Sequence, residues 1–234
     1  MSKASKIYDS QRNKIGDEWM EKLVFCPNHE LEIYLYEYYL KKVDYKISAQ
    51  PQHRQYYEQA KEYQKIGKDK ESMKAYQTAK SFNPIDLEIQ EGIIRLQYES
   101  GNFIQMKQSL DEIYPLIYTK RDFSNYLVMQ GFYYLGTYQP EIAEVLDMYS
   151  LIFAKNSQAE MDLAYIEKAV KRKHREMSVI QMREFLEKHN IYTQPEKKTL
   201  ELLYYVAKTA QLEGCVEYAS QLETILSEWN EIIK

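Results

Sequence analysis

Between Tyr56 and Pro84, in YYEQAKEYQKIGKDKESMKAYQTAKSFNP, apolar residues recur every three or four positions. Ala60, Tyr63 and Ile66 precede Gly67; Met73, Tyr76, Ala79 and Phe82 follow it and run to Pro84. Such spacing lines one face of a helix, so the segment predicts two helices joined at Gly67. Glycine suits the join, because a helix that ends in the left-handed conformation meets no Cβ penalty there. The pattern then returns. Gly101 in YESGNF lies 34 residues after Gly67, and Gly136 in YYLGTY lies 35 after Gly101, each inside the same apolar period. All three glycines are expected to stop helices.

A helical hairpin repeating at this length resembles the tetratricopeptide repeat (TPR) family. The family pattern of an aromatic, a Leu-Gly pair, Tyr, Ala, Phe and Pro falls in the first repeat on Tyr56, Gln59 with Ala60, Tyr63, Ser72, Tyr76 and Pro84. Gln59 and Ser72 depart from it. In the second repeat the positions are Gln90, Ile93 with Ile94, Gln97, Met106 and Leu110, with Tyr118 where Pro would stand. The third has Asn125, Val128 with Met129, and Phe132, then a helix opened by Gln139-Pro140 and carrying Ile142, Val145, Leu146, Tyr149 and Phe153. Downstream, SQAEMDLAYIEKAVKRKH and EMSVIQMREFLEKH read as a divergent pair without a glycine stop. A last pair has Leu203, Val206, Ala207 and Ala210 before Gly214, then Ala219, Leu222 and Leu226.

The fold this resemblance implies is all-α, a right-handed superhelical solenoid of antiparallel helix pairs. Residues 1–52 would form an N-terminal helical cap, 53–155 three TPR-like repeats, and 156–234 divergent TPR-like pairs continuous with the solenoid. In the cap, Ile15, Trp19, Met20 and Leu23 share a helix face, and ELEIYLYEYYLKKVDYKI is read as helix with Asn28 as its cap, since a strand there would have no partner. A cap of this kind hides the apolar face of a terminal repeat.

The family's concave groove is lined mainly by the first helix of each pair. That places Arg54, Tyr57, Lys61, Gln64 and Lys65 in it from the first repeat; Glu88, Glu91, Arg95, Tyr98 and Glu99 from the second; and Phe123, Tyr126, Gln130, Tyr133 and Tyr134 from the third. As partner-binding residues we single out Tyr57, Lys61, Lys65, Arg95, Tyr98, Tyr126, Gln130, Tyr133 and Tyr134. Tyrosines offer rigid apolar area with a polar tip, and the cations can meet a carboxylate. In GFYYLGTYQP, Gly131 to Pro140, the period assigns Phe132 to the core, while Tyr133 and Tyr134 suit either the groove or packing between repeats.

Composition narrows the function. Seven Gly and six Pro in 234 residues leave little material for a sheet, while 23 tyrosines supply amphipathic surface and make self-association plausible. A net charge of -4 argues against general nucleic-acid binding, and KRKHR, Lys171 to Arg175, reads as a solvated helix end. No apolar run approaches membrane-spanning length and no secretory-type core precedes the helices. With two distant cysteines, Cys26 and Cys215, the expected address is cytoplasmic. His29, His53, His174 and His189 show no metal-ligand spacing and read as surface or turn residues. No phosphate loop, nucleophile elbow, zinc or dinucleotide motif occurs, so no cofactor, metal or catalytic residue is expected. The reading is a non-catalytic adaptor or scaffold that binds a peptide or helix of a protein partner. Its rivals are a peptide-sensing regulatory receptor acting through a protein partner and an unrecognised enzyme or enzyme inhibitor.

Overall fold

The computed structural model describes residues 23–41 and 44–230. The expected cap positions Ile15, Trp19 and Met20 lie outside them. In chain order the elements are β1 (Leu23–Phe25), α1 (Glu30–Leu35), a π-helical turn (Tyr36–Leu40), β2 (Tyr45–Ile47), α2 (Gln52–Lys65), α3 (Asp69–Phe82), α4 (Leu87–Glu99), α5 (Phe103–Ile113), a 3-10 turn (Tyr114–Leu116), α6 (Lys120–Gly136), α7 (Pro140–Ser150), α8 (Ser157–Val170), α9 (Val179–Lys188), α10 (Lys197–Leu212) and α11 (Val216–Asn230). The described chain is thus mostly helical. None of its helices is long and apolar enough to cross a membrane. Two compact units are present: the described residues up to Leu96 together with those from Lys198 onward, and Gln97–Lys197.

In the first unit the expectation of helix through ELEIYLYEYYLKKVDYKI is corrected. Helix α1 ends after six residues, the π turn closes with the Lys41 N–H donating to the Tyr36 carbonyl at 2.9 Å, and Tyr45–Ile47 is a strand. Its partner, which the sequence reading held to be missing, is Leu23–Phe25: the two run parallel, with Leu23 opposite Tyr45 and Phe25 opposite Ile47. Side chains explain the switch. Phe25, Tyr36 and Tyr45 are buried together with ring centroids 4.9 to 5.6 Å apart, so Tyr45 is drawn onto the first strand rather than around a helix. Asn28 is not the cap of α1 either. His29 holds that position, without a side-chain cap bond.

Helices α2 and α3 form the expected hairpin. Gly67 at φ +69° makes the turn, and a buried cluster of Ala60, Ala75, Tyr76, Ala79, Ile89, Ile93 and Leu96 joins α2, α3 and α4. Ile66, assigned to the apolar face, is 64% exposed because the helix ends before it. Ala60 and Ser72 meet across the hairpin, where the Ser72 hydroxyl donates to the Ala60 carbonyl at 2.9 Å. Against α1 and the π turn lie α11 and α10: Tyr218 Oη accepts from the Leu31 N–H at 3.2 Å, and Tyr39 Oη and Thr199 Oγ1 are 2.9 Å apart. Gly214, at φ +80°, turns α10 into α11 as expected, over buried Leu203, Val206, Ala207, Ala210, Ala219 and Leu222.

In the second unit α6 is the central helix. It buries Phe123, Ser124 and every residue from Tyr126 to Phe132, which makes it apolar nearly all round rather than striped. Gly101 turns the chain at φ +70° into α5, whose start is capped by Asn102 accepting from the Gln105 N–H. Gly136 behaves otherwise. It is the last residue of α6 but is not left-handed; that conformation belongs to Tyr138, at φ 61°. Gly136 instead packs closely, since a Cβ there would come within 2.1 Å of the Phe103 ring and force that ring to move. KRKHR is corrected in part: Lys171, Arg172 and Lys173 are exposed, as expected of a helix end, but α8 ends with Lys171 left-handed, and Arg172, His174 and Arg175 pair with Glu144 of α7.

One packing contact separates two effects of glycine. In helix α4 the Gly92 position lies under the Tyr76 ring tip, 2.4 Å from where a Cβ would stand. Gly92→Ala therefore gains helix propensity of about 1 kcal/mol but overpacks the contact by about 1–3 kcal/mol. A net loss of stability is expected in the native background. With Tyr76→Leu in the same chain the substitution is expected to become stabilising, a sign reversal that urea denaturation of the four proteins measures.

Candidate functional site

Arg54, Tyr57 and Lys61 follow one another at helical spacing on α2, and the structure brings them together. The Tyr57 ring has the Arg54 guanidinium 5.7 Å from its centroid and the Lys61 ammonium at 5.0 Å. Its inner edge packs on the α2–α3–α4 cluster, with the Tyr76 centroid at 6.0 Å. Burial, followed by the negative charge of Glu88, pushes the Tyr57 hydroxyl up to about 12. The cations are tethered: Arg54 to Glu88 and, at 3.3 Å, to Asp86; Lys61 to Glu58 at 3.5 Å; and Lys65 to Glu62 at 2.6 Å. The exposed pairs with Glu88, Glu58 and Glu62 contribute little to stability, so their effect is to hold the side chains over and beside the ring, while Arg54 also joins the buried carboxylate of Asp86. Arg95 is exposed on α4 of the same unit.

Behind Arg54 lies a polar network absent from the sequence reading. Asn28 donates from its backbone N–H to Glu32 at 2.6 Å and from Nδ2 to Glu32 at 2.9 Å and Asp86 at 3.0 Å. Glu32 also accepts from Asn83 Nδ2 at 2.9 Å, and Asp86 accepts the Glu88 and Ile89 amides that open α4. His53 Nε2 meets Asn28 Oδ1 at 3.0 Å. Glu32, His53, Asn83 and Asp86 are all buried. His53 is thus no surface histidine, as the sequence had suggested; burial holds its imidazole below the ordinary value, against the opposing charge of Asp86.

Two of the nine candidate residues are removed from any partner surface. Tyr126 is fully buried and Gln130 nearly so; Gln130 Nε2 donates to Tyr126 Oη at 2.7 Å. The reason is a cover. The segment after α9 stacks Tyr192 on Tyr114 at 3.8 Å, and Thr193 and Gln194 offer their carbonyls to Tyr149 Oη at 3.1 Å and Tyr114 Oη at 2.9 Å. Tyr114 in turn flanks Tyr126, ring to ring, at 5.8 Å. Phe123, on the same expected stripe, is buried as well. Tyr98 is half-buried and stacks on Phe132 at 5.1 Å, while half-buried Tyr133 and Tyr134 meet edge-on at 5.2 Å. The second unit therefore presents these three tyrosines as edges of its core.

Helix α7 holds two buried carboxyls that the sequence did not distinguish from other acids. Glu144 receives both Arg172 guanidinium nitrogens, at 2.9 and 2.6 Å, and the Arg175 N–H at 3.1 Å. Burial acts to raise its carboxyl, but these donors outweigh it and hold the group below the ordinary value. One turn on, Asp147 is fully buried beside Gly131, with no protein partner for either oxygen. Burial, aided by Asp162, lifts it well above the ordinary value.

Among the described residues no group of His, Cys, Asp and Glu could hold a metal ion. Both cysteines are free, Cys26 buried and Cys215 exposed. No protein-family model, curated protein or solved structure matches the chain.

Asp147 gives a pH dependence of fixed sign. Its carboxyl is raised on folding, so its contribution is complete below the ordinary value of 3.8 and is lost as pH rises through the raised one. Stability should decline with rising pH over that window, and Asp147→Asn should flatten the decline, with the two proteins diverging most at the alkaline end. Urea midpoints measured from about pH 4 to 9 check this.

Proposed function

We propose that this chain is a non-catalytic, TPR-like protein-interaction module of the cytosol, which binds a peptide segment or helix of a protein partner on the face formed by α2 and α4. The observation that carries the reading is the pair Arg54 and Glu88. The two stand 34 residues apart, at equivalent positions of the first and second repeats, and their side chains are joined. Side-by-side first helices of consecutive repeats bring equivalent residues together in this way.

The binding chemistry is that of Tyr57 framed by Arg54 and Lys61. A half-buried tyrosine ring already fixed by its neighbours loses little freedom when a ligand covers it. The flanking cations favour a partner segment that carries a carboxylate next to an apolar side chain. Arg95, on α4, and Lys65, at the end of α2, are the remaining candidates of the first unit; Tyr98, Tyr133 and Tyr134 are those of the second.

A test starts from a partner found by photo-crosslinking from position 57 and then measures its affinity by calorimetry. Tyr57→Ala and Lys61→Glu should each weaken binding by about tenfold or more, in the range of an interface anchor. Tyr138→Ala, at a fully exposed turn, should leave it unchanged. Unaltered affinity for both α2 variants, in folded protein, contradicts the proposal.

A further inference from the structure

His53 and Arg54 are neighbours on α2, and both turn to the same two acceptors. His53 Nε2 lies 3.0 Å from Asn28 Oδ1 and 3.8 Å from the Asp86 carboxylate; Arg54 Nη2 lies 3.4 Å from that same amide oxygen and 3.3 Å from that same carboxylate. The histidine is 1% exposed, so any charge it takes is borne inside the protein.

The network dictates which ring nitrogen holds the hydrogen. Both hydrogens of the Asn28 amide nitrogen are directed to carboxylates, Glu32 at 2.9 Å and Asp86 at 3.0 Å, which turns Oδ1 toward His53. An amide oxygen only accepts, so Nε2 carries the ring hydrogen. A second proton can enter only at Nδ1, and among the described residues none accepts a hydrogen bond there.

The charged and titratable groups around the ring are His29 and Glu32 from α1 and its approach, Arg54 from α2, and Asp86 and Glu88 at the opening of α4. Asp86 and Glu32 favour a charged ring, but both acids are already engaged: Glu32 by the Asn28 backbone, the Asn28 amide and Asn83, and Asp86 by Asn28, the Glu88 and Ile89 amides and Arg54. An imidazolium is therefore a second cation beside Arg54 on one carboxylate, with its new N–H unbonded. Burial outweighs the acids and keeps the ring below its ordinary value of 6.5. Stability from a ring held neutral on folding is present above pH 6.5 and lost as pH falls through the lowered value. We propose that His53 is an acid-sensitive latch: a second proton on its ring breaks the shared hold of Asn28 and Asp86 on Arg54 and frees the first turns of α2 and α4 together. As a regulator of the α2–α4 face the latch rests on the binding role proposed above; the opening itself needs no partner.

The test uses the full chain alone, so failure of the partner-binding reading leaves its outcome untouched. Long-range nitrogen–proton NMR of the histidine rings reads the tautomer and charge of His53, and amide hydrogen exchange, corrected for the intrinsic effect of pH, reads the opening. At pH 7.5 His53 should carry its one hydrogen on Nε2, and the ring should charge only below 6.5. Between pH 7.5 and 5.5, protection of the Asn28, Glu88 and Ile89 amides, all bonded to the buried acids, should fall about three- to tenfold, the range open to one histidine held neutral over that interval. Protection in α6 should not fall. Glutamine can give Asn28 Oδ1 the same hydrogen bond and takes no proton, so His53→Gln should abolish the loss. His29, also lowered by burial but 3.9 Å from Glu32 and 31% exposed, is the comparison, and His29→Gln should keep the loss. A hydrogen found on Nδ1, a ring that charges at or above 6.5, no loss of protection, or an undiminished loss in His53→Gln overturns the inference. The first three are read in the native chain and decide the matter even where His53→Gln fails to fold.

Discussion

Burying two carboxylates, Glu32 and Asp86, is the constraint around which the first unit is arranged. A buried carboxylate is costly unless donors surround it, and here the donors come from four separate places in the chain. Asn28 bridges both acids, Asn83 at the end of α3 reaches Glu32, the opening amides of α4 cap onto Asp86, and Arg54 of α2 pairs with Asp86. Because one amide serves both acids, the loop after β1 is registered against α1, α2 and α4 at once. Two local features follow from that. Arg54 is held where it frames Tyr57, and His53 is left with one ring nitrogen bonded and the other bare.

The second unit meets the same demand less completely, by different means. Its central helix α6 has no polar face along Tyr126–Phe132, so it must be covered on all sides. Helix α7 supplies one side and brings two acids with it. Glu144 is matched by the arginines after α8; Asp147 has no protein partner, and burial raises its carboxyl well above the ordinary value. The segment carrying Tyr192, Thr193 and Gln194 closes another side, with tyrosine hydroxyls bonded to backbone carbonyls. Tyr114 and Tyr149 are explained here as packing whose polar tips find backbone partners.

Where hydrophobic period and turn chemistry act alone, the sequence was sufficient. The α2–α3 hairpin, the turns at Gly67, Gly101 and Gly214, and six buried positions of α10 and α11 were legible from spacing, whereas Leu226 is only half-buried and the buried Thr199 and Trp229 were not foreseen. Three-residue strands were not, because so short a run has no period to read, and Tyr45 fits a helix face as well as a pleat. Tyr126 and Gln130 failed for another reason. A tyrosine stripe looks the same whether it faces a groove or a second layer, and the covering segment after α9 carries no repeating signal. Gly136 kept its place in the series but for packing against Phe103 rather than for a left-handed turn. As for the site, Arg54, Tyr57 and Lys61 could be placed from helical spacing, whereas Asn28, Glu32, His53 and Asp86 are scattered along the chain and meet only in the fold.

The central claim is that the shared amide of Asn28 organises the first unit, and amide hydrogen exchange tests it most directly. In Asn28→Ala, both buried acids lose a donor, and the account predicts that protection falls together in α1, in the first turns of α2 and in the first turns of α4, by about 1–3 kcal/mol. A loss confined to the loop after β1 and the start of α1, with α2 and α4 protected as before, would contradict it.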